Sequence, residues 1–325
     1  FYYLRYTTVS MFRDQLKAES GVEELLSVLC DTAEYDELPV RHNEDVLNAQ
    51  LADEVPVAVQ QRRMEDPHTK AHLLFQAHFG RIPLPISDYI TDTKSVLDQA
   101  VRIIQAMVDV VADRGWLFTC LNSMHLLEMV SQGIWLTDCT LLALPGVSKE
   151  NVGSVSRALG VDSIPELFAL DDEAIKSKLR RAGGPSWNDE IKLAQFVRVV
   201  RRLPQLSVSW SLTRPVTVGD QEQASIRVDL SHVAGVRSAS AYAPRFPKAK
   251  QEGWWVVLGD PESGELLALK RVSMFSSTKT SVNLSFASPI KSGPCKFTLY
   301  LMSDTYVGIN QQYVVSFEVL QSSSK

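Results

Sequence analysis

Between Thr93 and Arg114 the chain reads TKSVLDQAVRIIQAMVDVVADR, and its apolar residues recur at spacings of three and four along two parallel stripes. One stripe is Val96, Ala100, Ile103, Met107 and Val110; the other is Leu97, Val101, Ile104, Val108 and Val111. The spacing predicts one helix of about 22 residues, about 33 Å long at 1.5 Å per residue. Thr91 or Asp92 suits its N-cap, and Gly115 follows its last turn, where left-handed caps favour glycine. A helix this apolar must be packed on most of its circumference. Only a narrow polar stripe is left: Lys94, Asp98, Arg102, Gln105, Asp109 and Asp113. That stripe faces either bulk water or something that passes by.

The helical period holds on both sides of this segment up to about residue 136. Helices are expected at Tyr2–Lys17, Val22–Tyr35, Asn43–Ala52, Glu65–Arg81 and Thr119–Trp135, with Leu38-Pro39-Val40 as a break. Asp66 followed by Pro67 is a start signal, because proline's missing N–H costs nothing in the first helical turn. Residues 137–204 change to short helices: Asp138–Leu144, Lys149–Leu159, Ile164–Ala169, Glu173–Arg181 and Asn188–Arg202. After Leu203-Pro204 the period becomes two. Candidate strands are Leu206–Leu212, Ala224–Leu230, Ala239–Tyr242, Trp254–Leu258, Leu266–Arg271, Thr280–Phe286, Lys296–Met302 and Tyr313–Leu320, with Asp260–Gly264 as a hairpin turn. Short strands punctuated by Pro, Gly, Asn and Ser are a β-sandwich signature. The reading is multidomain, α then β: an all-α helical bundle over 1–136, a helical hairpin domain over 137–204 and a β-sandwich over 205–325.

At 325 residues the chain is too long for a single hydrophobic core. The formal net charge of −5 gives no global reason for nucleic-acid binding, but it is unevenly spread. Residues 206–325 hold 12 Lys and Arg against 9 Asp and Glu, which leaves 21 against 29 in residues 1–205. The four cysteines (Cys30, Cys120, Cys139, Cys295) are scattered, which suits a reducing compartment rather than a disulfide scaffold or zinc knuckle. No apolar run approaches the roughly 18 residues that span a bilayer. The chain opens at Phe1 inside an apparent helix and closes on the polar tail Gln321–Lys325, so a fragment is expected.

No catalytic constellation stands out. There is no G-x-x-x-x-G-K-[ST] run, so no phosphate-binding loop is expected. Asp53-Glu54-Val55-Pro56 imitates a helicase acidic box but follows no buried strand, and reads as a solvated helix end. His68 and His72 are four apart on one helix without a Glu between them or a clustered third ligand, so capping and packing roles are expected rather than a metal. No Ser or Cys nucleophile has a recognisable neighbouring base. Two interaction candidates remain. One is the polar stripe, in which Asp98 and Arg102 could also form an i,i+4 pair. The other is Arg245, Lys248, Lys250, Trp254 and Trp255. Adjacent tryptophans in a strand face opposite sides, so one is core and the other covers an edge, a neighbouring domain or a protein partner. Leu144-Pro145-Gly146-Val147 resembles a helix-hairpin-helix turn, whose backbone N–H groups grip a DNA phosphate. Ser148 replaces its second glycine and Glu150 would face the phosphate, which favours a structural hairpin.

Several strings resemble the Sec-sixty-three homology unit of a family of superfamily II helicases, where it follows two RecA-like domains and a winged helix. They are Leu38-Pro39-Val40-Arg41-His42-Asn43-Glu44-Asp45, residues 66–78 (DPHTKAHLLFQAH), Arg114-Gly115-Trp116-Leu117, Pro244-Arg245-Phe246-Pro247-Lys248, Glu252-Gly253-Trp254-Trp255, and residues 298–304 (TLYLMSD). The resemblance covers essentially the whole chain. It implies a helical bundle, a helix-hairpin-helix domain and an immunoglobulin or fibronectin-III-like sandwich. It also implies that residues 93–114 are the "ratchet" helix across a strand channel, with Arg102, Gln105, Asp109, Lys94 and Asp98 along it and Arg41, His42 and Lys70 as further bundle contacts. Family ratchets place Arg where Arg102 stands and often a second basic residue where Gln105 stands, so a weak, sliding contact is implied here. Residues 23–27 (EELLS) and 92–100 (DTKSVLDQA) look more like the branch serving the activating signal cointegrator complex than the spliceosomal branch, and the short tail suggests a C-terminal cassette. The implied setting is an ATP-dependent, 3′–5′ helicase of the nucleus and also cytosol, engaged in alkylation repair, transcription coactivation or ribosome quality control. ATP and magnesium would sit in domains absent here. The implied partners are the adjoining RecA-like and winged-helix domains, single-stranded DNA or RNA, and other subunits of that complex. The alternatives are pre-mRNA splicing, or a pure protein scaffold as in the translocation relative.

Overall fold

The computed structural model describes residues 3–59, 63–184, 187–219, 224–233, 240–274 and 277–321. The first six helices are α1 (Tyr6–Gln15), α2 (Val22–Cys30), α3 (Glu44–Ala52), α4 (Pro67–Gly80), α5 (Ser87–Asp113) and α6 (Leu117–Gln132). The Asp66-Pro67 signal holds: the Asp66 carboxylate accepts from the His68 backbone N–H at 2.8 Å, and Pro67 opens the helix. Most boundaries shift by a few residues, and two differ by five or more. The helix expected over Val22–Tyr35 stops at Cys30 and gives way to a 3-10 turn at Ala33–Tyr35, because the Thr32 hydroxyl donates back to the Leu29 carbonyl at 2.8 Å. The long helix starts at Ser87, not Thr93, and runs for 27 residues with Ile86 at its N-cap. Nothing between Ser87 and Thr93 breaks a helix, and Asp88 in the first turn suits the positive end of its dipole. Asp92 is therefore no cap; it lies inside the helix and is buried. Of the first expected helix, Tyr2 lies outside the described residues.

The helix expected over Asp138–Leu144 is only a 3-10 turn at Thr140–Ala143, and four short helices follow: α7 (Val152–Leu159), α8 (Ile164–Leu167), α9 (Asp172–Ala182) and α10 (Glu190–Arg202). The hairpin before α7 is closed on itself. Asn151 accepts from the Ser148 N–H at 2.8 Å and donates to the Gly146 carbonyl at 2.9 Å. Gly146 has φ of +77°, and a Cβ there would meet the Trp187 ring at 3.1 Å. Trp187 in turn stands edge-on to Phe196, with centroids 5.6 Å apart. The glycine is thus needed for a turn and a close approach inside the protein.

The strands are β1 (Leu206–Leu212), β2 (Val216–Thr217), β3 (Ala224–His232), β4 (Gly253–Asp260), β5 (Glu265–Ser273), β6 (Lys279–Phe286), β7 (Gly293–Ser303) and β8 (Gln311–Leu320). They form sheets of order β1-β3-β6 and β2-β8-β7-β4-β5, antiparallel except for β2 beside β8. This is the strand arrangement of an immunoglobulin or fibronectin-III-like sandwich. The strand expected at Ala239–Tyr242 does not form over Ser240–Tyr242, and Ala239 lies outside the described residues. The Tyr242 N–H is taken by the Tyr306 hydroxyl at 2.8 Å instead of a ladder. Of the polar tail, residues 322–325 also lie outside the described residues.

β4 is buried from Gly253 to Gly259. Trp254, Val256 and Leu258 face the other sheet, in a core that continues through α7–α10. Trp255 and Val257 face the bundle, in a second core with α1–α6. Behind β4 the α5–α6 corner is clipped to the β4–β5 hairpin by two backbone bonds, Leu117 N–H to Gly264 O (3.0 Å) and Leu266 N–H to Gly115 O (2.8 Å). Gly259 leaves room for the clip, since a Cβ there would meet Leu117 Cδ1 at 2.5 Å and the Glu265 carbonyl at 3.1 Å. Gly259→Val should therefore lower unfolding stability by about 1–3 kcal/mol through overpacking. Adding Leu117→Ala should cost less than the two single changes summed, which denaturant titration of the four proteins measures.

Candidate nucleic-acid interface

α5 is positioned by what its polar groups touch. At its N-terminal end Asp92 belongs to a buried ion cluster. Lys70, with a fully buried side chain, pairs with Asp92 at 2.7 Å and Glu44 at 2.6 Å, donates to the Pro39 carbonyl at 2.6 Å, and lies 4.6 Å from the Tyr89 ring centre. Arg41 joins Asp92 (2.7 Å), Glu44 (3.0 Å) and Asp88 (3.3 Å) from the solvent side. Burial alone would push the Glu44 and Asp92 carboxyls up; the bonds from Lys70 and Arg41 outweigh it and hold both below the usual carboxylate range. These contacts correct the expectation for Lys70: its ammonium is inside the bundle and offers nothing to a strand. Arg41 keeps some exposure but its guanidinium is committed to three carboxylates. His42 stands in solvent.

Further along, the sandwich reaches the same helix. Lys248 pairs with Asp98 at 2.7 Å. Gln105, with its amide oxygen turned to Arg271, accepts from both terminal nitrogens of that guanidinium at 3.0 and 3.2 Å. Arg271 also pairs with the buried Asp304 at 2.7 Å and stacks over Trp255 at 5.4 Å. Trp254 and Trp255, at 0% and 3% exposure, are both covered within the chain; Trp254 is the core member, and of the alternatives for the other the neighbouring domain holds, so neither is offered to a separate protein partner. Trp255 covers the neighbouring bundle. Lys248 is likewise engaged by α5, whereas Arg245 is exposed. Lys94 and Asp109 are exposed on the stripe.

Arg102 turns toward the segment that enters α1. It donates to the Tyr3 carbonyl at 2.8 Å and to Gln99 at 3.2 Å. With Thr91, Ser95 and Gln99 it forms one wall of a cavity of about 560 Å³, whose other wall is Tyr3, Arg5, Glu34 and Glu37. The polar stripe is thus used differently along its two edges: the sandwich engages Asp98 and Gln105, and Arg102 lines the cavity. Sequence reading missed Arg271 and Tyr3, because each meets α5 across most of the chain and no local spacing announces it.

The remaining polar groups of the bundle act as joints. Glu128, fully buried on α6, accepts from Asn310 at 2.8 Å and pairs with His125 at 3.1 Å. Gln132 donates to the Thr305 and Tyr242 carbonyls at 2.9 and 3.0 Å. Arg81 donates to Leu142 O at 2.6 Å and Gly133 O at 3.1 Å, tying the bundle to the hairpin domain, and burial pushes its pKa down to about 10. The ring nitrogens of His68 meet the Cys30 carbonyl at 2.8 Å and Asp36 at 3.1 Å. His72 Nε2 is buried without a partner. Among the described residues no three His, Cys, Asp or Glu side chains gather as a metal site, and no helix is long and apolar enough to cross a membrane.

Residues 1–316 match the family described as "Sec63 Brl domain". The chain belongs to this family. Similar curated proteins are "Activating signal cointegrator 1 complex subunit 3" of Homo sapiens (40% identical, covering 99% of this chain and 16% of that protein) and of Gallus gallus (38%, covering 100% and 16%). "U5 small nuclear ribonucleoprotein 200 kDa helicase" of Homo sapiens is 34% identical, covering 100% of this chain and 15% of its own length. The chain thus spans about one sixth of the length of these relatives.

Lys70→Met should destabilise the protein by about 3 kcal/mol, since it leaves two buried carboxylates short of a counter-charge. The pH dependence carries a sign. Glu44 and Asp92 are depressed in the folded state, so their contribution is fully present above the unfolded values of about 4–4.5 and is lost as pH falls through the folded ones. His72 and His78, both pushed down to about 4 by burial, add to acid sensitivity from higher pH, because the unfolded chain takes up their protons near pH 6.5. Urea titrations across pH should show the Lys70→Met protein losing less stability than the parent between about pH 5 and 3.

Proposed function

We propose that this chain is the non-catalytic accessory unit of an ATP-dependent nucleic-acid helicase, and that it guides one unpaired strand past the Arg102 face of α5. The family membership supports the setting, and one of the similar proteins is named a helicase. The observation that carries the strand-guiding role is the division of α5: the sandwich engages Asp98 and Gln105, whereas Arg102, Gln99 and Ser95 line an open cavity. Arg271, brought over Gln105 by the sandwich, supplies a basic group at the point of the wall where α5 itself has none. Both guanidiniums already hold internal partners, so a phosphate would be held weakly by exchange of bonds. Weak holding suits a strand that must advance.

ATP and magnesium are assigned to RecA-like domains outside this chain, with the winged helix as a further neighbour. The similarity to activating signal cointegrator subunits makes that complex, single-stranded DNA or RNA, and the nucleus or cytosol the proposed context. Repair, transcription coactivation or ribosome quality control is the proposed role. In the helicase carrying this unit, Arg102→Ala should cut unwinding about tenfold, the loss of one charge-assisted bond, while ATP hydrolysis continues. Unwinding and hydrolysis assays on the same preparations measure this, and unchanged unwinding would return the stripe to the role of a solvent face.

A further inference from the structure

Where the sandwich meets α6, two carboxylates are buried at the seam: Glu128 at 0% exposure and Asp304 at 2%. A buried carboxylate needs a counter-charge, and the two are served differently. Asp304 takes a guanidinium, Arg271 at 2.7 Å, which keeps its charge at every pH a protein meets. Glu128 takes an imidazole. Its Oε2 lies 3.1 Å from Nδ1 of His125, one turn back on the same helix. Its Oε1 crosses the seam and accepts from the Asn310 side-chain amide at 2.8 Å. Asn310 is held in that orientation, because its own carbonyl oxygen accepts the Ser303 N–H at 2.8 Å. One end of the joint is thus fixed by the sandwich, and the other rests on a group that titrates near neutral pH.

We propose that the docking of the sandwich on the bundle is linked to one proton, held between His125 and Glu128, and weakens when that proton is lost. With the proton, the pair is neutral as a whole. Without it, a carboxylate stays in the seam with no cation of its own, which is costly unless the seam opens to water. The other charges facing the pair come from the sandwich, and each is already committed. Asp304 repels Glu128, Arg271 serves Asp304 and Gln105, and Lys250 donates to the Ser131 hydroxyl at 3.1 Å and the Asp304 carbonyl at 3.0 Å.

Both members of the pair shift the same way. Burial pushes the Glu128 carboxyl up, and the bonds from His125 and Asn310 offset this only in part. Burial alone would push the His125 imidazole down; the bond to Glu128 and its charge outweigh it and hold the ring above its ordinary value. The His125 contribution is fully present below the unfolded value of about 6.5 and is lost as pH rises through the folded one. Glu128 adds to the same loss, because it too holds its proton more tightly when folded.

The test is amide hydrogen exchange of this chain and of Glu128→Gln, read as protection factors from about pH 6.5 to 8. Glutamine keeps the length of Glu128 and an oxygen for Asn310 but binds no proton. Over residues 303–310 and the facing turns of α6, protection in the parent should fall relative to the variant. The fall should reach at most about tenfold per pH unit, the limit for one proton. Over α3 the ratio should stay flat. A flat ratio at the seam overturns the proposal. So does an equal fall in every segment, which would place the proton in global folding rather than docking. Should Glu128→Gln fail to fold, NMR of the parent decides: the His125 ring should titrate above about 6.5, and the Asn310 side-chain amide should shift with the same midpoint. An Asn310 amide that ignores the titration of His125 also overturns it.

Discussion

The docking of the sandwich on the helical bundle depends on burying strand β4 on both faces. Antiparallel sheets commonly leave one face to solvent and alternate apolar with polar residues. The run from Trp254 to Leu258 has no polar member. Its even-numbered side chains complete the sandwich and its odd-numbered ones complete the bundle. Trp255 alone, as a Trp in a dense core, is worth about 3–5 kcal/mol on truncation. Around that apolar contact a set of single-purpose polar joints fixes the angle: Glu128 with Asn310, Gln132 with two carbonyls, and Lys250 with the Asp304 carbonyl at 3.0 Å. Each would be costly to leave buried and unpaired, so each favours this one docking.

That docking decides what α5 can do. Its apolar stripes make it buried, as the pattern requires, but they do not say which polar residues remain available. The sandwich does. By seating Lys248 on Asp98 and Arg271 on Gln105, it closes one side of the stripe and leaves Arg102 to the α1 side. A helix with three aspartates on its polar stripe is a poor phosphate clamp. Arg271 brings back one positive charge beside Gln105 without adding one to the helix.

The fold was largely legible because its signals are local. Asp66-Pro67 starts α4, Gly115 and Gly133 follow helices in the left-handed region, and the change of period at Leu203-Pro204 marks the passage to strands. The site was legible only in outline. Arg102 followed from spacing and resemblance. Lys70 could not be recognised as a core ion, because a lysine between Thr69 and Ala71 looks the same in sequence whether Glu44 and Asp92 surround it or not. The adjacent tryptophans announced opposite faces, but only packing showed that both faces lie within the chain. Tyr3 gave no signal, since its bond to Arg102 is a property of the folded whole.

The central claim is that an unpaired strand passes over the Arg102 side of α5. The most direct test is photo-cross-linking of this chain to a single strand carrying a photoreactive base, followed by mapping of the modified peptides. The account predicts modification in residues 91–102 and in the segment entering α1. Modification confined to the sandwich or to the hairpin around Gly146, with α5 untouched, would contradict it.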